Sequence, residues 1–80
     1  MTKQEKLLKQ ARNNPGGLSF DDFKTLLARC QWVEDHQTGS HSIWSSPKRF
    51  RLSIQNNKGM AKGYQVKQFL AQLDEETNYD

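Results

Sequence analysis

Eighty residues, with twelve Lys and Arg, nine Asp and Glu and a formal charge of +3, describe one small and mildly basic domain. Such a chain has too little interior to enclose a large cofactor and still pack a core. Cys30 is the only cysteine, which excludes an intrachain disulfide and a thiolate metal cluster. No apolar run approaches membrane-spanning length and no leader-like segment is evident, so a cytoplasmic protein without a membrane role is expected.

Residues 3 to 12, KQEKLLKQAR, predict a short polar helix with one narrow apolar stripe of Leu7, Leu8 and Ala11. NNPGG at 13 to 17 breaks it. So short a helix cannot fold alone. Residues 1–17 are therefore read as a lead-in helix and Gly/Pro break, which docks on or frays from a domain at 18–75. Residues 76–80 are read as a polar tail.

LSFDDFKTLLARC predicts the clearest helix. Ser19 is its N-cap, with Asp22 three residues on in capping-box fashion. Asp21 and Asp22 complement the positive end of the helix dipole. Phe20, Phe23, Leu26, Leu27 and Cys30 recur on one face, which is assigned to the core.

QWVEDHQ predicts a first strand, with Trp32 in the core, and Thr38-Gly39 a turn. SHSIWS predicts a second strand and SPKR another turn. In the third strand, RFRLSIQ, alternation puts Phe50, Leu52 and Ile54 on an apolar face and Arg49, Arg51 and Ser53 on a basic one. Ile43 and Trp44 are neighbours, so they point to opposite faces. Ile43 is assigned to the core and Trp44 to the outer, basic face. There Trp44 either stacks on a base or meets a partner, or is shielded by the chain's own loops. NNKGMAKG reads as a flexible basic loop, and YQVKQFLAQLDEE as a closing helix with Val66, Phe69, Leu70 and Leu73 on its apolar face.

The sum is an α+β fold: helix, helix, three strands, helix, with a three-stranded antiparallel sheet covered on one face by helices. Its core order, α-β-β-β-α, is that of the double-stranded-RNA-binding domain, with an extra N-terminal helix. A shared fold does not fix a shared function.

No acidic residue occurs between His36 and Leu73, a span that holds Lys48, Arg49, Arg51, Lys58, Lys62 and Lys67. A one-sign stretch of this kind fits a polyanion, or is a solvated face with no ligand. Phosphate-binding loops, nucleophile elbows and Cys/His ligand spacings are absent from the sequence. His36 and His41 flank a turn, and no metal site is expected from them. His36 reads as a surface strand residue.

One histidine with several cations is enough for one reaction, the cleavage of RNA by its own 2′-OH. The substrate brings the nucleophile. The protein need only take a proton, which histidine does well near neutral pH, and stabilise charge on phosphorus, which Lys and Arg do. His41, after Gly39 and Ser40, either serves that role or is an ordinary polar residue at a strand start.

The stretch TGSHSIW bears on this choice through a resemblance. With the amphipathic helix FDDFKTLLARC, the aromatic-led strand WVEDHQ, a basic loop and an apolar closing helix, it resembles the HicA family of bacterial toxins, RNA-cleaving partners of HicB antitoxins. The resemblance covers roughly Leu18 to Leu73. It implies the double-stranded-RNA-binding type of fold, with His41 catalytic and Gly39 and Ser40 shaping its turn. Many relatives carry a Pro and a second His after the third strand, where this chain has IQNNKG, so no general acid is carried over from that loop.

The expectation is a metal-independent endoribonuclease toxin that acts on mRNA without a cofactor, with His41 as general base, held in check by a HicB-type antitoxin. Arg49, Arg51, Lys58, Lys62 and Trp44 are the expected RNA contacts. A non-catalytic RNA-binding module on the same fold, or a protein-interaction adaptor with a basic face, are the alternatives.

Overall fold

A computed structural model describes residues 2–78. The chain runs α1 (Lys3–Asn13), a 3-10 turn (Pro15–Gly17), α2 (Phe20–Arg29), β1 (Val33–Thr38), β2 (His41–Ser45), β3 (Arg51–Asn57), β4 (Met60–Ala61) and α3 (Gly63–Asn78). The strands form one antiparallel sheet in the order β1-β2-β3-β4. The fold is α+β with the double-stranded-RNA-binding-domain layout, plus α1 and the short β4.

The helix ends follow local chemistry. Ser19 Oγ accepts the Asp22 N–H at 3.1 Å and caps α2. At the other end Gln31 takes φ 71°, and Trp32 N–H reaches Leu27 C=O at 3.0 Å while Gln31 N–H reaches Ala28 C=O at 3.1 Å. That pair of bonds is a Schellman closure, with glutamine in the left-handed position that usually takes glycine. It turns the chain so that Trp32 enters the core, 3 % exposed.

Phe23, Leu26 and Leu27 of α2 and Val66, Phe69 and Leu70 of α3 pack with Leu52 and Ile54 of β3. Trp32 stacks edge-on between Phe69 at 5.2 Å and Phe50 at 6.4 Å, and Phe23 meets Phe69 at 5.7 Å. Phe50, expected in the third strand, lies just before it and is half-exposed.

The lead-in helix docks. Leu7 and Ala11 are buried in the same core, and Arg12 grips Asp74 of α3 through two hydrogen bonds of 2.6 and 3.1 Å. The closing helix continues through residues 76 to 78 of the expected tail; residues 79 and 80 lie outside the described residues.

The expected flexible loop NNKGMAKG is instead a tight hairpin. Asn57 pairs with Met60 across a two-residue turn of Lys58 and Gly59, with φ 54° and 88°. Two successive positive φ values are the geometry that matches the twist of a hairpin, and glycine supplies one of them without strain. Asn56 Oδ1 accepts the Gly59 N–H at 2.7 Å and braces the turn. Met60 bridges to Ser19, Ala61 N–H binds Leu18 C=O at 3.0 Å, and Phe20 N–H binds Gly59 C=O at 2.9 Å. The hairpin is thus tied to the start of α2.

Candidate functional site

Thr38 pairs with His41, so Gly39 and Ser40 alone connect β1 to β2. Gly39 sits at φ 58°, a value tight hairpins require and most residues resist. His41 is thereby the first residue of β2, exposed, with Thr38 and Gln55 as its cross-strand neighbours. Its side chain has no hydrogen bond or ion pair among the described residues.

Cross-strand partners share a face of the sheet. Trp44 lies opposite Leu52 and Ser42 opposite Ile54, so Trp44 and Ser42 face the helices, at 5 % and 0 % exposure. His41, Ile43 and Ser45 therefore share the outer face with Gln55, Ser53 and Arg51. The expected orientation of Ile43 and Trp44 was inverted. Trp44 is a core residue, and its buried ring offers no surface on which a base could stack. Burying tryptophan removes more apolar area from water than burying isoleucine. The cost of turning Ser42 inward is met by its hydrogen bond to the Glu34 carboxylate.

Between the outer edge of β3 and α3 runs a groove of about 580 Å³. His41, Arg51, Ser53 and Gln55 line it from the sheet, and Tyr64, Gln65, Gln68 and Glu75 from the helix. Gln65, 6 % exposed, accepts the Gln55 backbone N–H at 2.8 Å and donates to Tyr64 Oη at 3.2 Å. A second depression of about 350 Å³ on the sheet face is lined by His36, Thr38, His41, Ile43 and Ser53. His41 belongs to both.

Of the expected cations, only Arg51 shares the groove with His41. Four residue steps along β2 separate the His41 row from the Ser45–Arg51 row, about 13 Å at the usual strand rise. Arg49 lies beyond that row, in the turn before β3, at φ 68°. Lys58 stands at the tip of the β3–β4 hairpin, and Lys62 joins β4 to α3. None of these three lines either depression that holds His41.

The span without acids in sequence is not free of them in space. Asp35, from β1, lies 3.4 Å from Arg51 and accepts the Ser45 hydroxyl at 2.6 Å. Glu75 lines the groove, and Glu76 accepts the Lys48 N–H at 3.3 Å. Desolvation acts to raise the Glu76 pKa, but hydrogen bonds from Ser46, Gln72 and Lys48 outweigh it and hold this carboxyl below its usual range. The outer face is therefore mixed, with Arg51 half of an ion pair.

Gln65 and Tyr64 were not anticipated as part of a site. One signal was available: Gln65 stands four residues before Phe69, on the apolar face of the closing helix. A polar residue there needs a buried partner. Cys30 is also buried; desolvation pushes its thiol pKa up, against a weaker opposing hydrogen bond from Gln4. Among the described residues no group of three or more His, Cys, Asp and Glu is placed to hold a metal ion, and no helix is long and apolar enough to cross a membrane.

Residues 20–74 match the family model described as HicA toxin of bacterial toxin-antitoxin. No curated protein and no solved structure matches the chain. The matched segment runs from the first residue of α2 into α3 and includes every residue of the groove named above except Glu75, which follows directly after it.

Proposed function

The chain belongs to the HicA toxin family, and on that premise we propose that it is an endoribonuclease that cleaves mRNA, with His41 as the general base. The supporting observation is the position of His41: an exposed imidazole at the head of β2, lining a groove whose same, sheet-side rim carries Arg51 further along. An imidazole there has access to a 2′-OH, and a guanidinium has access to a phosphate of the same strand. The 2′-oxygen attacks the adjacent phosphorus while His41 takes its proton. The reaction as proposed uses the substrate's own nucleophile and needs no metal-activated water.

RNA lies along the outer face, with Arg51 the nearest cation and Arg49, Lys58 and Lys62 contacting more distant phosphates. Gly39 and Ser40 fix the height of His41 at the strand head. A HicB-type antitoxin neutralises the toxin by covering His41, and the enzyme acts in the cytoplasm without a cofactor.

His41→Ala tests this reading. The variant is expected to fold, since an exposed strand-start residue costs little to truncate, and to lose both RNA cleavage and growth inhibition. A folded variant that still cleaves RNA removes His41 from the chemistry. A wild-type protein that binds RNA with a steep salt dependence and never cleaves it is a binding module instead.

A further inference from the structure

Alternation along β1 would send Glu34 and His36 to one face of the sheet and Asp35 and Gln37 to the other. The register departs from this. Glu34 lies opposite Trp44, but His36 lies opposite Ile43, with a bulge between Glu34 and His36. Side-chain partners agree with the register. Glu34 reaches Ser42 and Lys24 on the helix side, Asp35 reaches Ser45 and Arg51 on the outer side, and Gln37 returns to Lys24. The bulge thus delivers two successive residues, Asp35 and His36, to the outer face. Bulges re-aim side chains in this way, often beside active sites.

His36 is thereby the diagonal neighbour of His41. Diagonal pairs across an antiparallel ladder stand roughly 7–8 Å apart, within reach of ring side chains. Both imidazoles line the depression with Thr38, Ile43 and Ser53, and both are exposed. Near the two histidines on the sheet face, Asp35 from β1 and Arg51 from β3 engage each other at 3.4 Å, and Glu75 of α3 lines the neighbouring groove that His41 shares. Lys24 of α2 faces the other side of the sheet, where it meets Glu34 and Gln37. No lysine lines the depression.

We propose that His36 is the general acid of the ribonuclease reaction, working with His41 across the phosphate that the depression holds. This rests on His41 being the base. The neutral ring of His41 takes the 2′-OH proton as the 2′-oxygen bonds to phosphorus. The bond from phosphorus to the 5′-oxygen breaks, its electron pair stays on that oxygen, and the oxygen takes the proton carried by the His36 imidazolium. The products are a 2′,3′-cyclic phosphate and a 5′-hydroxyl. His41 is left protonated and His36 neutral, and exchange with water resets both.

A leaving group that needs no proton separates the two roles. The substrates are an RNA oligonucleotide and its twin with sulfur replacing the bridging 5′-oxygen at the scissile phosphate, since a thiolate departs unprotonated. His36→Ala is expected to cleave ordinary RNA about 100-fold or more slowly than wild type, to lose the alkaline fall of the pH–rate profile, and to cleave the sulfur substrate within about fivefold of wild type. His41→Ala is expected to be slow on both. Near-wild-type turnover of the sulfur substrate also shows that His36→Ala is folded. Equal impairment of His36→Ala on the two substrates, or wild-type cleavage of ordinary RNA, overturns the proposal. If His36→Ala behaves as expected while His41→Ala retains full activity, the assignment of the base falls and that of the acid stands. A wild-type protein that cleaves neither substrate overturns both.

Discussion

Gln65 of α3 accepts the backbone N–H of Gln55 at 2.8 Å, and Gln55 is the cross-strand partner of His41. A buried side chain on the closing helix therefore holds the segment of β3 against which the histidine stands. β4 pairs with β3 only at Asn56 and Asn57, so the edge from Arg51 to Gln55 has no strand beside it, and Gln65 occupies the end of that edge.

Removing the acceptor strands a partly buried N–H. Gln65→Ala is expected to cost about 1–2 kcal/mol in urea unfolding, and Gln65→Glu, which keeps an acceptor, less. A variant that unfolds with the wild type would mean that water replaces Gln65 at no cost.

Gln31 holds a left-handed conformation at φ 71° to close α2. L-residues resist that region by about 1–2 kcal/mol, and glycine does not. Gln31→Gly is expected to raise the unfolding midpoint, with a net gain of about 1 kcal/mol after the added chain entropy. An unchanged or lowered midpoint would show that the Gln31 side chain contributes more than its strain costs.

The acid-free reading of residues 36 to 73 came from sequence order alone, and the fold revised it. Leu52 and Ile54 were legible as core because alternation along one strand is local, and Ser19 was legible as a cap because its partner is three residues away. The orientation of Ile43 and Trp44 was not. Alternation says that neighbours oppose each other, but only pairing with Leu52 says which one faces in. The bulge at Asp35 and His36 leaves no mark in composition or period, so the second histidine read as an ordinary surface residue. NNKGMAKG read as a loop from its glycines and lysines, although Lys58-Gly59 is a hairpin turn. The motif around His41 was the most legible feature of all, because its glycine, turn and strand start are contiguous.

The Arg12–Asp74 pair ties α1 to α3 and should set a small acid sensitivity. Hydrogen bonding from Arg12 holds the Asp74 carboxyl below its usual range. A depressed carboxyl pKa stabilises the fold above the unfolded value, near ~3.9, and that stabilisation is lost as pH falls through the folded value. Both side chains are about half exposed, so solvent limits the effect to about 1 kcal/mol or less. Asp74→Asn should be less stable than wild type at neutral pH and match it in strong acid. A constant difference across that range would point to packing instead of charge.

On the proposed reading, Arg51, which lines the groove with His41, contacts the RNA strand there. In a His41→Ala background, RNA affinity should fall steeply with salt as phosphate contacts release counterions. Arg51→Ala should reduce the slope of log affinity against log salt by roughly one contact. Asp35→Asn, which frees the guanidinium, should raise affinity at low salt. Slopes indifferent to both changes would take Arg51 off the RNA path.

The central claim is that the 2′-OH of the substrate is the nucleophile and His41 its base. The most direct measurement is mass spectrometry of the fragments of a defined RNA cleaved in EDTA, with 2′-O-methyl RNA as control. The account predicts 5′ fragments ending in a 2′,3′-cyclic phosphate, 3′ fragments beginning with a 5′-hydroxyl, and no cleavage of the methylated strand or by His41→Ala. Fragments that carry a 3′-hydroxyl and a 5′-phosphate would place the attack with an external water and contradict it.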